Sequence, residues 1–388
     1  MEIRVNTDSL KNAVSAAKKA LSKIVIQEER AHLLCTVKND TLLIQATNND
    51  LKAACTLPVG NVSKDDFAFT VDPRILEKLL GKIDIDTVRI VFDQAEYTLK
   101  VYTTESEKSF TTLQSFPPDK MLTFDPAADP SKAWCSVHKE TLEFALNYAG
   151  SFLAPVKEDH KQFDFVVIDK GIVYAANGSN KMGFIACKAF EKLSNFKIRK
   201  AILSTFRAFS NALPGDTVNI IETSRNIGLE SVDGMMHFSC LKSNSDPVSI
   251  SKEYMKSEGP YVEIDKGKFL KILDRLVVSN TSMSSGGVEL VVSGVGESAC
   301  IDLNLVATAK VTENFPCTKV NDDSPDPVSH VVDYKIFRAI LNSFSTDKMI
   351  RLHINDGSKF YKVYNSGEVF GNKYVLAGIG SYAKVIKQ

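Results

Sequence analysis

The sequence predicts an α+β protein of three tandem domains, each a doubled β-α-β-β-β unit, with helices lining one face and sheets outside. Three observations predict it. One helix signature recurs six times at intervals of about 65 residues, similar β-like runs surround each copy, and two Pro-, Ser- and Asp-rich stretches divide the copies into pairs. A length of 388 residues is two to three times that of an ordinary domain.

The signature is a cap-like polar residue, an apolar residue, and further apolar residues three and four positions on. That spacing lets a helix bury one face. In chain order the copies are TDSLKNAV (Leu10, Ala13, Val14), DPRILEKLL (Leu76, Leu79, Leu80) and HKETLEFAL (Leu142, Ala145, Leu146), then LSTFRAFSNAL (Phe206, Phe209, Leu213), DKGKFLKIL (Phe269, Ile272, Leu273) and DYKIFRAIL (Phe337, Ile340, Leu341). A short strand-like run precedes each: EIRV, FAFTV, AWCSV, KIRKAIL, PYVEI and SHVV. Alternating or β-branched runs follow each, from HLLCTVK, TLLIQAT and LKAACTL after the first helix to MIRLHIN, KFYKVYN and KYVLAGI after the sixth. The fifth copy has a clear GGVELVVS but only ACIDLNLVATAK beyond it, so a strand there is expected to be short or merged. Asp8, Asp72, Asp265 and Asp333 are expected as helix caps.

One helix on one small sheet has too little core to stand alone, so the units should pair. The stretches Ser115 to Lys132 and Ser243 to Pro260 read as linkers, which gives domains at 1–122, 131–250 and 259–388.

Lys+Arg and Asp+Glu are 47 each, so the net charge is zero, which excludes a chain held on nucleic acid by bulk charge. The six helix windows nonetheless hold 15 basic and 8 acidic residues, a balance of +7 that the rest of the chain offsets. The candidate DNA-facing cations are Lys11, Lys18, Lys19, Lys23, Arg74, Lys78, Lys82, Arg207, Lys266, Lys268, Lys271, Arg275, Lys335 and Arg338. A lysine-rich solvated helix face is the plain alternative.

Catalytic and metal signals are missing. The sequence has no phosphate loop, no G-x-S-x-G, no H-E-x-x-H and no Cys-x-x-Cys, and its six histidines lack ligand spacing. The loop Asn321 to Asp326 lacks the Gly and distal Glu of a calcium site. Neither an enzyme nor a cofactor or metal is expected. Seven dispersed cysteines read as reduced thiols, no run suits a membrane span, and Glu2 and Arg4 interrupt any leader-like start. These features point to the cytoplasm.

The repeat pattern resembles the bacterial sliding clamp, the β subunit of DNA polymerase III. Segments similar to that family are LLIQATNNDLKAACTL (42–57), KSFTTLQSFP (108–117), GIVYAANGSNKMGF (171–184) and VVSNTSMSSGGVELVVS (277–293). The resemblance implies a processivity factor that forms a head-to-tail homodimeric ring around duplex DNA, without sequence specificity and without a membrane partner. It implies an interface at Phe110 facing Val277 and Val278, with ordinary core roles as the alternative. Lys23 and the loop Lys157 to Lys161 fall near family DNA contacts. A pocket for peptides of DNA polymerase, clamp loader and other clamp-binding proteins would include Lys181, Met182, Pro247, Val375 and Ala377.

Two features depart from the family. The chain ends AGIGSYAKVIKQ, without the usual Pro and Met, so the tail from Gly380 either covers the pocket or extends it. Neutral net charge also differs from the acidic norm. Both fit a divergent, nucleoid-associated member, or a phage-encoded one in its host's cytoplasm. A non-catalytic scaffold that does not encircle DNA, and a monomer that clings to it, remain as alternatives.

Overall fold

The computed structural model describes all residues except 22–30, 49, 107, 125–131, 154–162, 179–180, 244–258, 279–286, 307–311, 345–347, 354–359 and 383–388. Six repeats follow one another. The first has β1 (Glu2–Asn6), α1 (Thr7–Ala17), β2 (Leu33–Lys38), β3 (Thr41–Thr47), β4 (Leu51–Pro58) and the two-residue β5 (Gly60–Asn61). The second has β6 (Phe67–Val71), α2 (Pro73–Leu80), β7 (Thr87–Asp93), β8 (Thr98–Tyr102) and β9 (Phe110–Gln114). In the third come β10 (Lys132–His138), α3 (Lys139–Gly150), β11 (Phe165–Asp169), β12 (Ile172–Asn177) and β13 (Lys181–Cys187). The fourth comprises β14 (Phe196–Arg199), α4 (Lys200–Ala212), β15 (Thr217–Glu222), β16 (Asn226–Ser231) and β17 (Met236–Leu241). The fifth has β18 (Tyr261–Asp265), α5 (Lys266–Val278), β19 (Gly287–Ser293), β20 (Cys300–Val306), β21 (Thr312–Pro316) and β22 (Thr318–Val320). The sixth closes with β23 (Val328–Asp333), α6 (Tyr334–Ser343), β24 (Met349–His353), β25 (Phe360–Val369) and β26 (Asn372–Ser381).

Paired repeats exchange their opening strands. β1 joins β7-β8-β9 while β6 joins β2-β3-β4; β10 joins β15-β16-β17 while β14 joins β11-β12-β13; β18 joins β24-β25-β26 while β23 joins β19-β20-β21. Each repeat thus completes its neighbour's sheet. The chain divides into two compact units, Met1–Lys139 with Ala201–Ser243, and Glu140–Lys200 with Asn244–Gln388. The first holds a five-stranded sheet and the eight-stranded sheet β10-β15-β16-β17-β4-β3-β2-β6, in which Met236 to Cys240 of β17 pair with β4. The second holds the sheet β21-β20-β19-β23 and the nine-stranded sheet β14-β11-β12-β13-β26-β25-β24-β18-β22.

A recurring hydrogen bond marks the exchange. The N–H of the first residue of α1, α3 and α5 donates to the carbonyl just before the strand that follows the partner helix: Thr7 to Asp86 and Lys139 to Asp216 at 2.8 Å, Lys266 to Lys348 at 2.9 Å. Three expected caps hold: Asp72, Asp265 and Asp333 accept from the N–H of Arg74, Lys268 and Ile336 at 2.8, 3.0 and 3.0 Å. The first helix differs. Its cap is Asn6, which accepts from the Ser9 N–H at 2.9 Å, and Asp8 lies inside the first turn. In the fifth repeat the short or merged strand is two strands, β21 and β22, with β21 pairing fully along β20. The chain also stays in the sheet past Gly380: Gly380 pairs with both Lys181 and Tyr361, Ser381 pairs with Phe360, and Tyr382 bridges Val332.

Candidate nucleic-acid and partner interfaces

The helix cations fall into distinct settings. Lys11, Lys78, Lys82, Lys268, Lys271 and Lys335 are exposed. Lys18 crosses from the end of α1 to Glu77 of α2 at 2.6 Å, and Arg338 of α6 crosses to Asp274 of α5 at 2.8 Å. Each pair ties two partner helices together, with opposite polarity: the cation comes from the first helix in one pair and from the second in the other. The Lys18 hydrogen bond holds the Glu77 carboxyl below its ordinary range, and Arg338 does so for Asp274, which also accepts from the Tyr334 hydroxyl. Arg74 is paired with Asp72 and Arg275 with Glu313. Lys19 and Arg207 are half-buried.

Lys266 has a local acceptor. Its ammonium donates to the carbonyl of Phe344, the residue after α6, as Lys139 does to Leu213 after α4. A cation at a helix C-terminus meets carbonyls without intrahelical partners and the negative end of the helix dipole. Lys23 and the 157–161 loop lie outside the described residues.

On the nine-stranded sheet, strand register sorts the pocket candidates by face, because alternate residues point to opposite sides. Three cross-strand rows share one face. Ile172, Ala186 and Val375 form the first; Tyr174, Phe184, Ala377, Tyr364 and Arg351 the second; Ala176, Met182, Ile379, Lys362 and His353 the third. Phe184, Tyr364, Ala377 and Ile379 form a buried cluster against which Met182, Val375, Ile172 and Tyr174 pack. Met182, Val375 and Ala377 are thus brought together. Lys181 is on the opposite face, its Nζ 3.0 Å from the Ser151 carbonyl and 5.6 Å from the Phe152 ring centroid. Burial, with Lys200 nearby, pulls its pKa down. Pro247 lies outside the described residues.

One end of this face is cationic and aromatic. The Arg351 guanidinium sits 5.0 Å from the Tyr261 ring and 5.9 Å from that of Tyr364, and pairs with Glu263 at 3.1 Å. Burial brings Lys362 down to about 8. The buried His353 is lowered to about 4 by burial first, then by Lys362 and Arg351.

At the edge of the five-stranded sheet, β9 exposes Phe110, 5.5 Å from the Tyr102 ring and with Lys100 Nζ 5.4 Å from its own centroid. β21 is likewise an edge strand, with the same exposure pattern as β9 along its five residues. α5 packs over it through Phe269 on Phe315 at 5.1 Å, and Val277 and Val278 are the last residues of that helix.

Residues 1–121 match the family model of the DNA polymerase III beta subunit, N-terminal domain. Solved structures similar to the whole chain include the DNA polymerase sliding clamp of Bacillus subtilis (13% identity, 99% of both chains, TM-score 0.73). The DNA polymerase III subunit beta of Pseudomonas aeruginosa is similar at 12% identity, over 99% of this chain and 100% of that one, with TM-score 0.73. The beta subunit of Thermotoga maritima is similar at 15% identity, 99% of both chains and TM-score 0.71. The fold is that of the bacterial sliding clamp. No curated protein matches the chain by sequence.

Within this clamp fold, sequence reasoning missed Phe184, Ile379, Tyr174 and Tyr364 beside the pocket candidates. The period-2 signal could have found the first two, since each lies two residues beyond a candidate. No such signal marks Tyr364, whose place depends on which strand pairs with β26. Among the described residues no cluster could hold a metal ion, and no helix is long and apolar enough to cross a membrane.

Proposed function

We propose that the chain is a DNA sliding clamp and polymerase processivity factor, with no chemistry of its own. The observation that carries this reading is the clamp fold over 99% of the chain, joined to the family match over residues 1–121. Two copies meet head to tail, the β9 edge of one beside the β21 edge of the other, with Phe110 near the end of α5. The exposed helix lysines face the duplex and meet phosphates without reading sequence. The apolar face at Met182, Val375 and Ala377 takes peptides of the polymerase, the loader and other clamp-binding proteins.

Topological closure explains how a neutral chain stays on DNA: a closed ring needs no strong adhesion. The test is mass in solution together with retention on DNA. A dimer has twice the 42.8 kDa chain mass, about 86 kDa, and a ring is kept on nicked circular DNA but lost on linearisation. Equal loss from both forms would favour a scaffold that does not encircle DNA and would overturn the reading.

A further inference from the structure

A cleft of about 350 Å³ opens where β12, β13 and β26 end, at the opposite end of the strands from Lys181 and Gly380. Its floor is Ile172, Ala186 and Val375, the first of the three rows described above; in the next row Phe184 and Ala377 are buried, and the part-exposed Tyr174 links the cleft to the Met182 row. Three exposed lysines, Lys170, Lys188 and Lys373, stand on its rim with one lining carboxylate, Glu191, while the exposed Glu368 lies opposite Lys373 across the β25–β26 ladder.

The rim is held in place before anything binds. Lys170 and Gly171 both have positive φ, 48° and 86°. Their N–H groups donate to the carbonyls of Leu193 and Phe190 at 2.6 and 3.0 Å, and the Gly171 carbonyl accepts from Cys187 at 2.8 Å. On the other side Tyr374, next to Lys373, packs on Phe144 with ring centroids 4.9 Å apart. A preset rim lowers the ordering cost of binding.

We infer that this cleft seats the acidic flank of the partner peptide whose apolar anchor docks on the Met182 row. The inference rests on the partner-docking reading above. A rise of about 3.4 Å per residue puts the anchor row and the cleft floor, four residues apart on β13, about 14 Å apart, within reach of about four extended peptide residues. Carboxylates on that flank complement the three lysines, and a small apolar residue between them covers Ile172 and Val375.

The test is selection from a random dodecapeptide phage library on the immobilised full chain. Wild type is expected to enrich an apolar core with Asp or Glu on one flank, and the Lys170→Glu, Lys188→Glu, Lys373→Glu triple variant is expected to lose that acidic bias while keeping the core. An apolar core with no acidic flank, or the same flank on both proteins, overturns the inference and leaves the docking reading standing. No core at all, from a wild-type chain that melts cooperatively, overturns both. The neutral triple variant Lys170→Gln, Lys188→Gln, Lys373→Gln guards against misfolding: it should bind the selected acidic peptide about tenfold more weakly in fluorescence anisotropy, with a shallower salt dependence. Unchanged affinity for that peptide would overturn the inference.

Discussion

Tyr361 lies against Gly380, its neighbour across the β25–β26 ladder, so closely that a Cβ on the glycine would sit 2.2 Å from the ring. The same arrangement recurs near the far end of the hairpin, where Tyr374 covers Gly367 and the contact would be 2.5 Å. An aromatic ring over a strand glycine fills the space its missing side chain leaves. Tyr361 cannot easily move aside, because it is buried with its ring centroid 5.2 Å from that of Phe337. Gly380→Ala is therefore expected to destabilise by about 1–3 kcal/mol through overpacking, read as a fall in the urea midpoint with unchanged slope.

Among the described residues the buried Tyr361 hydroxyl has no hydrogen-bond partner. Removing an unsatisfied polar atom relieves its desolvation cost, so Tyr361→Phe should be neutral or stabilising. A loss above about 1 kcal/mol in the same urea titration would contradict this.

His353 makes stability pH-dependent. Its folded pKa of about 4 lies below the ordinary 6.5, so the unfolded chain takes up the proton first. The contribution is present in full above about 6.5 and is lost as pH falls towards 4, by up to a few kcal/mol. His353→Gln should flatten the change in urea midpoint between those limits. Glu77 and Asp274, whose pKa values are depressed, act in the same direction at lower pH.

The helix cations should separate by role. Lys78→Glu and Lys271→Glu, both at exposed positions, are expected to weaken direct, salt-dependent binding to linear duplex DNA, with little effect on melting. Lys266→Met should instead lower the melting temperature, because it leaves the Phe344 carbonyl without its donor. Comparable melting for all three variants would remove that distinction.

Asp274→Asn weakens the link between α5 and α6 by taking charge from the Arg338 and Tyr334 contacts. The pair is about 40% exposed, so the expected loss is about 0.5–1 kcal/mol. A Tm shift well beyond what that loss produces would mean that the pair supports more than its own two side chains.

The six helices were legible because apolar residues at i, i+3 and i+4 report directly on a buried face. Strand exchange was not, since period-2 alternation shows which face of a strand is buried but not which strand lies beside it. Asn6 lost to Asp8 as the expected cap because both residues can cap and lie within two positions of the helix start. β21 escaped notice because Thr312–Pro316 has only one buried residue and ends in proline. Of the pocket candidates, Met182, Val375 and Ala377 share a face as alternation requires, while Lys181, one residue from Met182, points the other way.

Strand exchange also restricts how such a chain can grow or shrink. A single added repeat would bring three strands lacking an opening neighbour and an opening strand with no sheet to enter. Deleting one would leave the same mismatch. Insertions and losses that preserve folding should therefore come in twos, so the pair, rather than the 65-residue motif visible in the sequence, is the unit on which duplication can act.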